Sequence, residues 1–388
     1  MNRGEAAAER SELARARLAW SFLVEPGDGD AGALVAALGP QEALAAVRAN
    51  RPPAAGTRWH EAFARWRPRL ERVDLPDQAD RARRCGARLL IPEDDGWPAR
   101  VDDLDVHAPL CLWVRGDPEA LVAATTVAIV GARASSGYGD LVTAEFAAEL
   151  AAAGVVVVSG AAYGIDGAAH RAALAAGGAT VAVLAGGADR VYPAGHAELL
   201  GRIVGSGAVV SELPLGSEPS RWRFLTRNRI IAALGDATVV VEAGWRSGSL
   251  NTAGHAATLG RSIGAVPGPI TSPASAGCHR LLREYDATCV TTAAEVQELL
   301  GAEISPERRP AEPAGPSSPR STTAASPPED DGAERLENRV ADALALRTPR
   351  PVEDIAVRAG VAVASTEAAL GLLLLQGRAR RADGGWTR

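Results

Sequence analysis

The hydrophobic pattern of the chain changes character at Thr125. Beyond it, short continuous apolar runs recur: "TTVAIVG", "VVVVSG", "ATVAVLAGG", "AVVSE", "ATVVVEA" and "SIGAVPG". Stretches of helical pattern separate them: "YGDLVTAEFAAELAAAG", "IDGAAHRAALAAGG", "HAELLGRIVGSG", "NRIIAALG", "SLNTAGHAATLG" and "HRLLREYDA". Runs that are apolar on every residue, not every second one, belong to parallel strands covered on both faces. Strand–helix alternation with right-handed crossovers then predicts an α/β, Rossmann-like, doubly wound and mostly parallel sheet. The short final strands, ending in "TCVTT", are where the regularity is expected to break.

The flanks read differently. From about Ser11 to Pro76 the pattern predicts short helices, broken at "EPGDGD" and "RPPAAG". A connecting stretch, "LLIPEDDGWPARVDDL" through "APLCLWVRGD", leads into the α/β region. After it, "SPERRPAEPAGPSSPRSTTAASPPEDDG" is too rich in Pro, Ser and charge to bury a core and reads as a linker. "AERLENRVADALAL", "PVEDIAVRAG" and "STEAALGLLLLQG" then predict three helices, and "RARRADGGWTR" a terminal hairpin: the outline of a winged helix-turn-helix. Its third helix, the usual DNA reader, carries no Arg, so a module for partner contact or regulation fits equally well. The expected organisation is a small helical domain of SAM or helix-hairpin-helix type over 1–80, a core over 81–302, a disordered linker over 303–333 and a winged-helix-like domain over 334–388.

Composition narrows the chemistry. The 388 residues carry a net charge of −6, which disfavours a chain that coats nucleic acid over its whole surface but leaves room for a local basic groove. All basic residues other than histidine are Arg, so any cationic phosphate contact uses the planar guanidinium fork, and a Lys nucleophile is excluded. Cys85, Cys111, Cys278 and Cys289 show no C-x-x-C spacing; buried free thiols are expected, not a zinc site or redox pair. The charged N-terminus and the interrupted apolar runs predict a cytoplasmic protein with no membrane span.

Four stretches carry candidate chemistry. In "VVVVSGAAYGIDGAAHRAAL", Gly160 and Gly164 permit a tight turn, and Asp166 stands at the start of a helix whose free N–H groups favour an anion. Asp166 and His170, four apart, share a helix face; they read either as an acid–base pair or as a capping Asp beside a His packed on a neighbouring loop. The second reading is preferred because no nucleophile or ligand set accompanies them. In "VAIVGARASSGYG", Gly131, Arg133, Ser136 and Tyr138 follow the first strand, at the carboxyl edge where open α/β sheets bind ligands. In "RWRFLTRNRII", Arg221, Arg223, Arg227, Asn228 and Arg229 interleave with Trp222 and Phe224, as cations and stacking rings do in single-strand binders. In "VVVEAGWRSGSLNTAGHAATLG", Arg246, Ser247 and Gly248 open a helix as a second anion cradle, and Glu242 stands as a candidate catalytic carboxylate or an anchor for a neighbouring Arg. Neither G-x-G-x-x-G nor a P-loop is present, so a dinucleotide cofactor and ATP hydrolysis are disfavoured. Two cradles and several Arg at one edge suit a polyanion.

Taken together, these motifs resemble the DprA/Smf family, DNA-processing protein A, from about Ile91 to Thr292. The matching runs include "VVSGAAYGIDGAAHRAAL", "VAVLAGGADRVYP" and "TRNRIIAALGDATVVVEAGWRSGSLNTAGHAATLGR". The resemblance implies single-stranded DNA binding, loading of the RecA recombinase, a homodimer and a part in natural transformation or related recombination, without catalysis, cofactor or metal. It implies DNA contact through Gly131, Arg133, Ser136, Gly160, Gly164, Asp166, Arg227, Asn228, Arg229, Ser247 and Gly248. The chain departs from the family pattern at "FLTRNR", which lacks the usual Pro, and at His196 and His279, where the family carries Asn. Two other readings remain: a nucleotide-processing hydrolase of the lysine-decarboxylase-like type, whose P-G-G-x-G-T-x-x-E loop is absent here, and a winged-helix transcription regulator with a sensor domain.

Overall fold

The computed structural model describes residues 3–53, 57–301, 332–346 and 348–388. The expected linker lies, up to residue 331, outside the described residues. Ahead of the α/β region come α1 (Arg3–Leu23), α2 (Gly29–Leu38), α3 (Pro40–Arg48), α4 (Thr57–Trp66), α5 (Leu75–Cys85), β1 (Ala87–Leu90) and β2 (Leu112–Gly116). Then follow β3 (Thr126–Val130), α6 (Gly137–Ala152), β4 (Val156–Ser159), α7 (Ile165–Ala175), β5 (Thr180–Val183), α8 (Ala197–Ser206), β6 (Ala208–Ser211) and α9 (Arg221–Leu234). The region closes with β7 (Ala237–Val240), α10 (Gly248–Thr258), β8 (Ser262–Ala265), α11 (Ala276–Glu284), β9 (Thr288–Cys289) and α12 (Ala293–Leu299). The last elements are α13 (Gly332–Ala343), α14 (Val352–Ala359), α15 (Val363–Leu375), β10 (Arg380–Ala382) and β11 (Gly385–Thr387).

The chain divides into two compact units, one drawn from Met1–Val122, Ala182–Arg227 and Glu329–Arg388, the other from Ala123–Val181 and Asn228–Pro328. The segment expected as a single core, 81–302, contributes to both.

In the second unit β4, β3, β7, β8 and β9 lie side by side in that order, all parallel. Val127, Ile129, Val157 and Val239 from the strands pack with Phe146, Leu150 and Ile165 from the helices, all buried. Removing such a side chain costs about 2–5 kcal/mol, because the site closes only partly around the void. From β3 the chain steps to β4 on one side, whereas β7, β8 and β9 build outward on the other. The topology therefore switches direction between β3 and β7, the position at which open α/β sheets take ligands. β9 remains parallel, so the regularity holds at the end of the sheet, contrary to expectation.

It breaks instead in the first unit. β1 pairs antiparallel with β2, and β2 antiparallel with β6, Trp113 facing Ser211. The pattern gave no warning of β1 and β2, since "ARLL" and "LWVRG" mix Arg with apolar residues and show neither a continuous apolar run nor an alternation. The N-terminal helices close on Trp20 and Trp66, whose rings meet edge to face at 5.3 Å. Both indole N–H groups are used: Trp20 donates to the Pro40 carbonyl at 3.0 Å and Trp66 to Asp28 at 2.9 Å. Asp28 also caps α2, which explains why the helical pattern resumes just after "EPGDGD".

The C-terminal elements form the three helices and hairpin that the sequence predicts. Ile355, Leu370 and Leu373 are buried at their centre. β10 and β11 pair through a turn in which Gly384 and Gly385 take φ of +90° and +145°. α15 leaves Leu372, Leu374 and Leu375 exposed.

One charge cluster joins three parts of this first unit. Glu25 is buried and accepts from Arg69 at 2.7 Å and from both nitrogens of the Arg223 fork at 3.0 Å. Arg69 also donates to the Val357 carbonyl at 2.8 Å, and Arg339 to the Ala359 carbonyl at 2.6 Å, so the end of α14 is held by guanidinium groups. Burial pushes the Glu25 carboxyl up, but the Arg223 and Arg69 charges outweigh it and bring it to about 2. Arg223, one of the residues expected to meet phosphate, is thus committed to an internal ion pair.

Two cysteines match the expected buried thiols. Burial pushes the Cys111 and Cys278 thiols up to about 12, which keeps them protonated and unreactive. Cys85 is half-buried and Cys289 exposed, which corrects the expectation for those two; β9 has only two residues and leaves both open to solvent. Among the described residues, no single helix is long and apolar enough to cross a membrane.

Candidate nucleic-acid interface

The switch point is built around a carboxylate. Glu242, at the end of β7, is 2% exposed. It accepts from the Ser136 backbone N–H at 2.8 Å and from the Ser136 hydroxyl at 2.5 Å, while its own carbonyl accepts from the Ala132 N–H at 2.7 Å. Ser136 in turn caps α6, accepting from the Gly139 N–H at 3.1 Å. The candidate catalytic carboxylate is therefore a clamp that fixes the loop after β3. Only glycine at 139 admits it, since a Cβ there would stand 2.3 Å from Oε2.

The loop after β4 is pressed against the same structure. Gly164 has φ of +76°, and a Cβ on it would lie 2.2 Å from the Ala132 carbonyl oxygen and 2.6 Å from that of Arg133. Gly131 is equally confined, by Ile165 and by the Glu242 carbonyl. Gly160 is buried, and its N–H donates to Asp166 at 3.2 Å; Ala162 donates to the same oxygen at 3.4 Å. Asp166 thus ties down the loop from the first turn of α7, whereas the N-cap itself is Gly164, a correction to the capping expected of Asp166. His170 packs on a strand rather than a loop: its Nδ1 is 2.7 Å from the Thr180 hydroxyl, which donates to the Val157 carbonyl at 2.6 Å. Since the Thr180 proton is taken up by Val157, the His170 Nδ1 carries the hydrogen here.

The basic segment "RWRFLTRNRII" is wholly helical. Residues 227 and 229 differ by about 200° around a helix, so they leave α9 on opposite sides. Both are nevertheless covered, Arg227 being 6% and Arg229 4% exposed. Arg227 donates to the Val183 carbonyl and stacks against Phe224 at 5.9 Å. Asn228, also buried, donates to the Gly248 carbonyl at 3.2 Å and to Asn251 at 3.3 Å, which joins α9 to the first turn of α10. Ser247 caps that turn through the Ser249 N–H, and Gly248 is exposed beside it.

Other groups at this edge are exposed. Arg133 and Arg246 are exposed, on the loops after β3 and β7. Three rings stand with them: Tyr138, Tyr163 and Trp245. Tyr138 is fixed by donating to the Pro267 carbonyl at 2.7 Å, and Trp245 carries the Arg280 guanidinium at 5.3 Å from its ring centre. Sequence reasoning placed aromatics for stacking in α9 and passed over Tyr163 and Trp245. The signal was present: each is a large ring in the loop directly after an all-apolar strand, where no core awaits it.

A switch-point edge carrying exposed cations and rings, followed in the chain by three helices and a hairpin, defines a Rossmann-like protein with an accessory winged-helix module. Residues 88–301 match the family described as DNA recombination-mediator protein A, and residues 322–385 match the DprA winged helix domain. The chain belongs to this DprA/Smf family. It is 44% identical to the putative DNA processing protein DprA of Mycobacterium tuberculosis, over 95% of this chain and 93% of that one. Protein Smf of Escherichia coli is 42% identical over 54% of this chain and 56% of its own length. Among solved structures, DNA processing protein A from Streptococcus pneumoniae is 31% identical, with a TM-score of 0.61, covering 73% of this chain and 95% of that one. DNA processing protein A from Helicobacter pylori, whose structure was described for its unique single-stranded DNA binding mode, is 29% identical, with a TM-score of 0.51, over 55% of this chain and 95% of that one.

Proposed function

We propose that this chain binds single-stranded DNA at the switch point and acts as a recombination mediator, loading RecA onto the strand as a cytoplasmic homodimer in natural transformation or a related process. The observation that carries this reading is the pairing of exposed Arg133 and Arg246 on loops whose backbones are fixed by Glu242 and the Gly244–Ser247 turn. A pre-set loop loses little freedom on binding, so its cations act on phosphate at small entropic cost. Gly131, Gly160, Gly164 and Asp166 shape the floor, and Ser136, Ser247 and Gly248 hold the helix starts. Arg227, Asn228 and Arg229 act from within, by keeping α9 against its neighbours. The reading assigns no catalysis: Glu242 is occupied by Ser136, and Asp166 by backbone N–H groups. Membership of the mediator family supports it over the hydrolase alternative.

Fluorescence anisotropy with a labelled oligo-thymidine across a salt series tests it. Tight binding that weakens steeply with salt is expected, and an Arg133→Ala/Arg246→Ala variant loses most of it. Equal affinity for duplex, or a variant that binds like the native chain, refutes the placement.

A further inference from the structure

Trp245 is held in a way that an idle surface residue is not. It and Arg246 are the two central residues of a turn closed by the Ser247 N–H donating to the Gly244 carbonyl at 3.0 Å. The segment behind them is locked twice more, by the Ala243 N–H on the Ala274 carbonyl and the Gly277 N–H on the Ala243 carbonyl, both 2.7 Å. Gly277 is required for this close approach, because a Cβ there would stand 2.7 Å from the Ala243 oxygen and 2.8 Å from that of Gly244. On this rigid base the Trp245 side chain is 57% exposed, with Arg280 stacked at 5.3 Å and in turn paired with Glu284 at 2.6 Å. An exposed indole on a fixed backbone offers a face on which a base can stack. A guanidinium on one side and solvent on the other leaves one π-face open.

The sheet order sets what flanks it. Strands β4, β3 and β7 are consecutive neighbours, so the loops bearing Tyr163, Arg133 and Trp245 follow one another at about 5 Å per strand. Tyr163 is 51% exposed, and Arg133 is exposed on the loop of the middle strand. Ring, cation, ring is the alternation of base and phosphate along a single strand, and no base-specific donor is needed for it.

We propose that Trp245 stacks on a base of the bound single strand, with Arg280 backing the ring and Arg246 meeting the adjacent phosphate. This rests on the strand-binding reading and adds how the bases, not only the phosphates, are held. It makes the site selective for exposed bases and therefore for unpaired strands, since in a duplex the faces of the bases are stacked on one another.

The test compares oligo-thymidine with an abasic oligonucleotide of the same length, which keeps every phosphate and lacks every base. Native chain, Trp245→Ala and Trp245→Phe are titrated by anisotropy. Trp245→Ala is expected to bind oligo-thymidine about ten-fold more weakly, to bind the abasic strand as the native chain does, and to keep its salt slope. Trp245→Phe is expected to recover most of the loss, since it restores a ring. Equal weakening on both strands, or none on either, overturns the stacking assignment while leaving strand binding intact. No binding of either strand by the native chain overturns strand binding and this inference together.

Discussion

Two regions of this protein gather arginines and use them in opposite ways. At Glu25 in the first unit, Arg69 and Arg223 are folded inward onto one carboxylate, and α14 hangs on the same group of side chains. At the switch point of the second unit, the buried carboxylate is Glu242, and it accepts from Ser136, while Arg133 and Arg246 stand exposed. The difference is one of counting donors. A carboxylate buried among guanidinium groups neutralises them and turns them into scaffold. A carboxylate satisfied by backbone N–H and hydroxyl groups fixes a loop without drawing its arginines inward. Arg beside Trp occurs both in "RWRFLTRNR" and in "GWRSGS", and the two stretches fall on the two sides of this division.

Five changes at four residues would sharpen or break the contrast. The largest effect is expected from Glu25→Ala, which leaves Arg69 and Arg223 buried without their partner. A loss of about 3–5 kcal/mol is expected in denaturant unfolding, with oligonucleotide affinity well below the transition unchanged within about two-fold. If affinity collapses as well, the two regions are not separate devices. The same residue sets an acid limit. Its carboxyl ionises at about 2 in the folded chain against 4.5 unfolded, so the stabilisation is complete above 4.5 and is lost as pH falls from there toward 2. Acid unfolding of Glu25→Gln should be flatter through that window; an identical profile would mean that another carboxylate governs it.

Next comes Gly164→Ala. The positive φ and the backbone oxygens around the added methyl group are expected to cost about 1–3 kcal/mol and to displace the loop after β3, so stability and strand affinity fall together. A variant that is destabilised but binds normally would separate the loop's shape from its function. Glu242→Gln is smaller, about 0.5–1.5 kcal/mol, because one of the two Ser136 hydrogen bonds can be remade. Smallest in stability is Arg133→Ala, within about 0.5 kcal/mol by thermal melting, since the side chain is exposed. Its effect should appear in binding alone, as a log–log salt dependence shallower by about 0.7, the slope that one phosphate neutralised by one cation contributes on a single strand.

Much of the second unit was legible in the sequence. Runs such as "VAIVG" and "VVVVSG" have one stable disposition, a strand buried on both faces, and the glycines after them mark the ligand edge. The winged-helix outline was legible for the same reason: three helical patterns and a Gly-Gly turn admit few arrangements. The antiparallel β1 and β2 were not, because four or five mixed residues carry no period. Nor was the helix over "RWRFLTRNR" read as such, since interleaved charges and rings look the same on a strand, a loop or a helix.

By itself the sequence determined the strand–helix alternation, the carboxyl edge of the sheet and the family, because these follow from local pattern and from glycines that only close backbone approach requires. Tertiary structure alone decided which arginines are buried as scaffold and which stay exposed, and that Glu242 is a clamp while Trp245 stands in solvent. The physical reason is that exposure and pairing belong to partners far apart in the chain: Arg223 is committed by Glu25, 198 residues away, and Ser136 by Glu242, 106 residues away.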